Sequence, residues 1–186
     1  WAITFIGGIR GMAFIALMTF LPSYFSSDLG MSDLSRGVHF GLLVAVGIIS
    51  TPIMGYLSDK IGRKKILVPG MIFLSIIVLL MSFYGDGVTL IILLALLGIF
   101  FYSDQPILTA SALDIVGEGV ATTTLGTLSF ARFILSALSP LIAGFLYDSF
   151  SMNYVFYYVA FLMIIGAIAL YFLPLKKPHH EAGHHH

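Results

Sequence analysis

The chain has 186 residues, 59% of them hydrophobic and only 10% charged, with a mean hydropathy of +1.01 and a formal net charge of zero. A soluble domain carries about 25% charged residues, so the main solvent of this chain is lipid. The neutral balance argues against a nucleic-acid partner, and with no cysteine there is neither a disulfide framework nor thiolate chemistry.

A helix needs roughly 20 apolar residues to cross a bilayer core about 30 Å thick. Six stretches qualify. The first runs from Trp1 to about Phe25, and a polar loop with Asp28, Gly30 and Asp33 follows. The second runs from about Arg36 to Ser58 and ends in the densest charge cluster before the tail, Gly55-Tyr-Leu-Ser-Asp59-Lys-Ile-Gly62-Arg63-Lys64-Lys65. The third covers about Ile66 to Tyr84, and the turn Gly85-Asp86-Gly87 leads into the fourth, from Val88 to about Leu113. A loop with Asp114, Gly117, Glu118 and Gly119 precedes the fifth stretch, about Val120 to Tyr147. The sixth covers about Asn153 to Leu173, and Pro174 closes the membrane part. Sustained alternation of polar and apolar positions is absent, so we expect an all-α membrane protein.

Trp1 opens the chain inside an apolar run without an initiator methionine, so we expect a piece of a longer protein. The first run is too long for a signal peptide. Residues 1–174 are expected to form the membrane domain and residues 175–186 a tail. The histidines from His179 to His186 read as native or as the remnant of a purification tag, and no metal or cofactor role is assigned to them.

Lys and Arg concentrate in cytoplasmic loops, which places the Gly55–Lys65 loop and both chain ends on the cytoplasmic side. Lys60, Arg63, Lys64, Lys65, Lys176 and Lys177 then lie inside and Arg36 alone outside, as expected for a plasma membrane or bacterial inner membrane protein. Tyr154, Tyr157 and Tyr158, at the outer start of the sixth helix, read as an interfacial aromatic belt.

An internal repeat is visible. Gly55-Tyr-Leu-Ser-Asp59-Lys-Ile ends the second helix and Gly144-Phe-Leu-Tyr-Asp148-Ser-Phe ends the fifth, with Pro52 and Pro140 shortly before them. Helices one to three and four to six are therefore expected to be two copies of one unit. Three spans per copy make the copies inverted, an arrangement typical of secondary transporters. The second copy lacks the basic residues, as an outward-facing loop should.

The series Gly55, Leu57, Asp59, Lys60, Gly62, Arg63, Lys64 resembles the signature loop of the major facilitator superfamily, which joins the second and third helices of each six-helix half. Because the chain stops soon after its sixth helix, it is similar to the second half, helices seven to twelve of twelve. The Ser139-Pro140-x-x-x-Gly144 segment is similar to the eleventh helix. The resemblance implies that Gly55, Asp59, Gly62 and Arg63 form a cytoplasmic gate, with contacts that cross to the other half. Physically, Gly55 allows close approach, Asp59 suits a helix N-terminus, Gly62 permits a tight turn and Arg63 suits a carboxylate. Lys64 and Lys65 read as topology determinants only.

Three charges fall inside spans: Arg10, Asp104 and Arg132. Each costs at least ~2.5 kcal/mol at mid-bilayer if it faces lipid, so protein or a wet cavity should surround them. Counted along their helices at about 1.5 Å per residue, the three lie at similar depths. The resemblance implies that helices one and four line the central cavity, which makes Arg10, Asp104, Gln105 and Arg132 the expected substrate or proton-coupling residues. Pro106 lacks an N–H, which frees the Tyr102 carbonyl and breaks the fourth helix. A static Arg–Asp pair that only ties two helices is the competing reading. His39 is expected to be an ordinary hydrogen-bonded residue.

The function expected from these features is proton-coupled secondary transport by alternating access, together with the other half. Two arginines against one aspartate favour a small organic or inorganic anion. A proton-driven exporter of drugs or amphiphilic compounds is the alternative, and a non-transporting sensor or assembly subunit with the same fold is a third. No enzyme is expected, because no nucleophile–base set, phosphate-binding loop or metal-ligand set is present outside the histidine-rich tail.

Overall fold

The structure is a computed structural model that describes residues 1–175. The tail expected beyond Pro174 therefore lies, from Lys176 onward, outside the described residues. The helices are α1 (Ala2–Ser23), extended by a π-helical turn Tyr24–Asp28, then α2 (Asp33–Ile61), α3 (Arg63–Tyr84), α4 (Gly87–Phe101), α5 (Asp104–Val116), α6 (Ala121–Ser149) and α7 (Met152–Phe172). Six spans long and apolar enough to cross a membrane result, because α4 and α5 are two halves of the fourth. All lie within about three residues of the expected stretches at either end, and α2 ends at Ile61, inside the basic cluster.

Local chemistry sets the boundaries. Ser32 starts α2 by accepting from the Ser35 N–H at 3.3 Å, a standard N-cap bond. Gly62 separates α2 from α3 with φ +111°, a backbone state that side-chain-bearing residues avoid. Its N–H still donates to the Ser58 carbonyl at 3.0 Å, so α2 closes normally before the chain turns.

Lipid supplies no hydrophobic drive between helices, so spans associate through close packing and interhelical hydrogen bonds. The packing follows the repeat. The first span lies along the fifth (α1 on α6) and the fourth along the second (α4 on α2). The third and sixth, α3 and α7, pack on each other. Exchanging the first three spans with the last three maps each of these pairings onto another or onto itself. The same interval in sequence separates Gly55 from Gly144, Asp59 from Asp148 and Ser50 from Ser139. Both serines reach a carbonyl of the neighbouring span: Ser50 Oγ donates to Gly98 O at 3.3 Å and Ser139 Oγ to Met12 O at 2.6 Å. The fold is two inverted three-helix units, an all-α six-helix half.

Glycines permit the two equivalent seams. A Cβ on Gly11 of α1 would lie 2.6 Å from Arg132 Cγ and 2.5 Å from Ser136 Oγ of α6. One on Gly98 of α4 would lie 2.7 Å from the Leu43 carbonyl of α2. The densest core sits among α1, α3, α4 and α7, where Leu17, Met71, Leu90 and Phe156 are fully buried. α2 and α6 are the least enclosed spans. They present Ile48, Ile53 and Tyr56, and Phe133, Leu141 and Phe145, outward.

Candidate functional site

The fourth span breaks at Tyr102 and Ser103. Pro106 lies within the first turn of α5 rather than at the break, which falls one helical turn earlier where the missing N–H leaves the ladder open. Ser103 closes part of the gap: its N–H donates to Phe100 O at 3.2 Å and its hydroxyl to Ile99 O at 2.7 Å.

Arg10 of α1 fills the rest. Its guanidinium donates to the Phe101 carbonyl at the end of α4 and, through Nε, to Asp104 Oδ1 at the start of α5, at 2.6 Å. Nη2 lies 2.5 Å from the same oxygen, and Nη1 reaches Gln105 Oε1 at 3.4 Å. Two half-helices thus meet their electrostatic complements, a cation at a C-terminus and an anion at an N-terminus. Phe14 and Phe101 cover the guanidinium, with ring centroids 4.7 and 5.9 Å from its central carbon. Only 2% of Arg10 and 1% of Asp104 are exposed, which places the pair among the bundle's buried groups. Asp104 Oδ2 is buried and accepts no hydrogen bond among the described residues.

Arg132 approaches from α6. Its stem packs on Gly11, and Arg10, Gln105 and Arg132 line one small cavity of about 20 Å³ with Thr109 and Gly7. That is room for about one water. Arg132 forms no ion pair among the described residues, and its guanidinium lies 5.4 Å from the Phe133 ring centroid. The three intramembrane charges and Gln105 are therefore gathered in one place, with Arg10 and Asp104 bonded and Arg132 beside them.

The basic loop forms a second cluster. Arg63 donates to Asp114 Oδ2 at 3.0 Å and to Ser58 Oγ at 2.9 Å, and it pairs with Asp59 one turn back. Arg63, expected to reach across to another half, is thus satisfied within this one, where it ties the first three-helix unit to the end of α5. Asp59 remains 59% exposed, and a Cβ on Gly55 would meet nothing within 4 Å. Both still point away from this half's interior.

Some partners were not foreseen. Lys64 Nζ donates to Leu173 O at the end of α7, at 3.0 Å, so this lysine, expected only to set topology, also caps a helix. Tyr154 and Tyr157 are exposed as a belt requires, whereas Tyr158 turns inward and meets Ser139 Oγ at 3.1 Å. Helical rotation of about 100° per residue, readable from the sequence, separates Tyr157 from Tyr158. His39 bonds to the Ser35 carbonyl at 2.8 Å, an ordinary intrahelical contact.

The chain matches a family model, two curated relatives and a solved structure. The family model described as Major Facilitator Superfamily matches residues 3–185. Multidrug resistance protein MdtG of Proteus mirabilis (strain HI4320) is 33% identical over 182 residues, 91% of this chain and 44% of that protein. Its namesake in Enterobacter lignolyticus (strain SCF1) is 33% identical over 189 residues, 94% of this chain and 44% of that protein. This chain thus spans less than half the length of these relatives. The crystal structure of the peptide transporter POT, a mutant in complex with sulfate, superposes with a TM-score of 0.70 at 15% identity, over 91% of this chain and 36% of that one.

Proposed function

The chain belongs to the major facilitator superfamily as a six-helix half of that transporter fold, and from that premise we propose that the whole protein is a proton-driven exporter of amphiphilic compounds. The Gly55–Lys65 loop faces the cytoplasm in this reading, and the N-terminal half packs on the less enclosed α2 and α6.

The observation that carries the proposal is Asp104. One carboxylate oxygen is held by Arg10, and Oδ2 has no donor among the described residues. Oδ2 is therefore the atom that takes up a proton. Protonation cancels the charge opposite Arg10 and leaves a buried cation at the joint between α4 and α5. That state is costly unless the joint moves or admits water. A proton can so bias the fourth span between two arrangements, which is what coupling requires.

The cavity residues support the substrate class. Arg10 is paired with Asp104 and bonded to the Phe101 carbonyl, so the net positive charge on which an anion carrier was expected rests on Arg132 alone. Arg132, with no ion pair among the described residues, remains as a cation in the same cavity as Gln105. It disfavours cationic compounds and suits neutral or anionic amphiphiles. The likeness to multidrug resistance proteins supports drug-like compounds over small anions.

The test uses full-length protein in proteoliposomes with an imposed pH gradient and matched cationic, neutral and anionic amphiphiles. Neutral and anionic compounds should move against the proton flux. Movement with the proton flux supports the anion-symport reading instead, and no movement of any compound supports a non-transporting role.

A further inference from the structure

We propose that the groove between the start of α3 and the end of α7 binds the headgroup of an anionic phospholipid from the cytoplasmic leaflet. The inference rests on the orientation of the Gly55–Lys65 loop proposed above, not on the transported compound.

The groove has a volume of about 400 Å³. Arg63, Lys64 and Lys65 form its rim, and Val68, Pro69 and Tyr171 give it an apolar floor. The charges are unequally spent. Arg63 is matched by Asp59 and Asp114. Lys64 donates to the Leu173 carbonyl and lies 5.4 Å from the Tyr171 ring centroid, contacts that leave its charge uncompensated. Lys65 is exposed and has no ion-pair partner among the described residues. Two cations thus stand over an apolar slot at the end of the bundle.

The slot opens on the outer side of the bundle, where Tyr171 and Phe172 are 62% and 77% exposed. An occupant must present an anion to the rim and an apolar body to the floor. Free phosphate satisfies only the rim and a neutral lipid only the floor. A phospholipid with net negative charge satisfies both, and the cytoplasmic leaflet supplies such lipids where basic pockets between helices recognise them. Lys64 links the groove to the end of α7, and Arg63 links it to Asp114. Bound lipid would therefore steady the cytoplasmic ends of both three-helix units.

The test is titration of the full-length protein in neutral detergent with phosphatidylglycerol, phosphatidylcholine and soluble glycerol phosphate, read by native mass spectrometry. Phosphatidylglycerol should bind best, and the K64Q/K65Q pair should weaken it roughly tenfold or more. K60Q removes a charge from the same loop outside the groove and should change binding by less than about twofold. Equal binding of phosphatidylcholine, equal binding of glycerol phosphate, or an unchanged K64Q/K65Q protein overturns the proposal. K60C labelled by an impermeant thiol reagent on intact cells overturns the orientation instead, and the lipid assignment to the cytoplasmic leaflet falls with it.

Discussion

Arg10→Met in the full-length protein should be among the most destabilising single changes in this half. The substitution removes both nitrogen contacts to Asp104, at 2.6 and 2.5 Å, together with the bonds to the Phe101 carbonyl and Gln105. It leaves a carboxylate only 1% exposed without its cation. Breaking a buried pair from one side costs about 3–5 kcal/mol. An ordinary polar link between membrane helices is worth only about 0.6–1.7 kcal/mol, so the two cases are separable. Arg10→Met/Asp104→Leu removes the stranded charge and should recover at least ~2 kcal/mol relative to Arg10→Met alone. It should remain about 1–2 kcal/mol below the parent, because the Phe101 carbonyl still lacks its donor. Unfolding of detergent-solubilised protein, followed by far-ultraviolet circular dichroism, measures all three. A single variant as stable as the parent, or a double variant no more stable than the single, refutes the view that Arg10 and Asp104 act as a buried ion pair.

Other outcomes test the seams and the loop. Gly98→Ala forces a Cβ to 2.7 Å from the Leu43 carbonyl and should cost about 1–3 kcal/mol in the same unfolding assay, whereas Gly37→Ala, where nothing lies within 4 Å, should be near neutral. Ser139→Ala loses partners on both α1 and α7 and should destabilise by about 1 kcal/mol, more than Ser50→Ala. Arg63→Gln should change stability by less than about 1 kcal/mol, since Asp59 and Asp114 are 59% and 32% exposed, yet it should alter the transport rate if the loop is a gate. Gly55→Ala should leave the stability of this half unchanged and slow transport, which would mark its open face as a contact with the other half.

The spans and the repeat were legible because they depend on local properties: run length, the spacing of turn residues and the parity of crossings. The break in the fourth span was legible too, since a missing N–H acts one turn away and Pro106 has a fixed address. The pairing of Arg10 with Asp104 was only suggested by equal depth, because helix rotation decides whether two groups at one level meet. That rotation is set by the glycine seams at Gly11 and Gly98, whose partners lie in distant spans. Arg63 shows the same limit. Its carboxylate partner Asp114 sits fifty-one positions on, near the end of α5, and only the docking of α5 beside α3 brings them together. Lys64 was undervalued because a capping bond to Leu173 depends on where α7 happens to end.

Asp104→Asn tests the central claim most directly. It keeps the size and polarity of the side chain and abolishes the proton site. In proteoliposomes of full-length protein, uphill export driven by a pH gradient should be lost, while downhill exchange of substrate across the membrane persists. Gradient-driven export at the parent rate, from protein that folds and inserts normally, would contradict the assignment of Asp104 as the group through which protons drive the cycle.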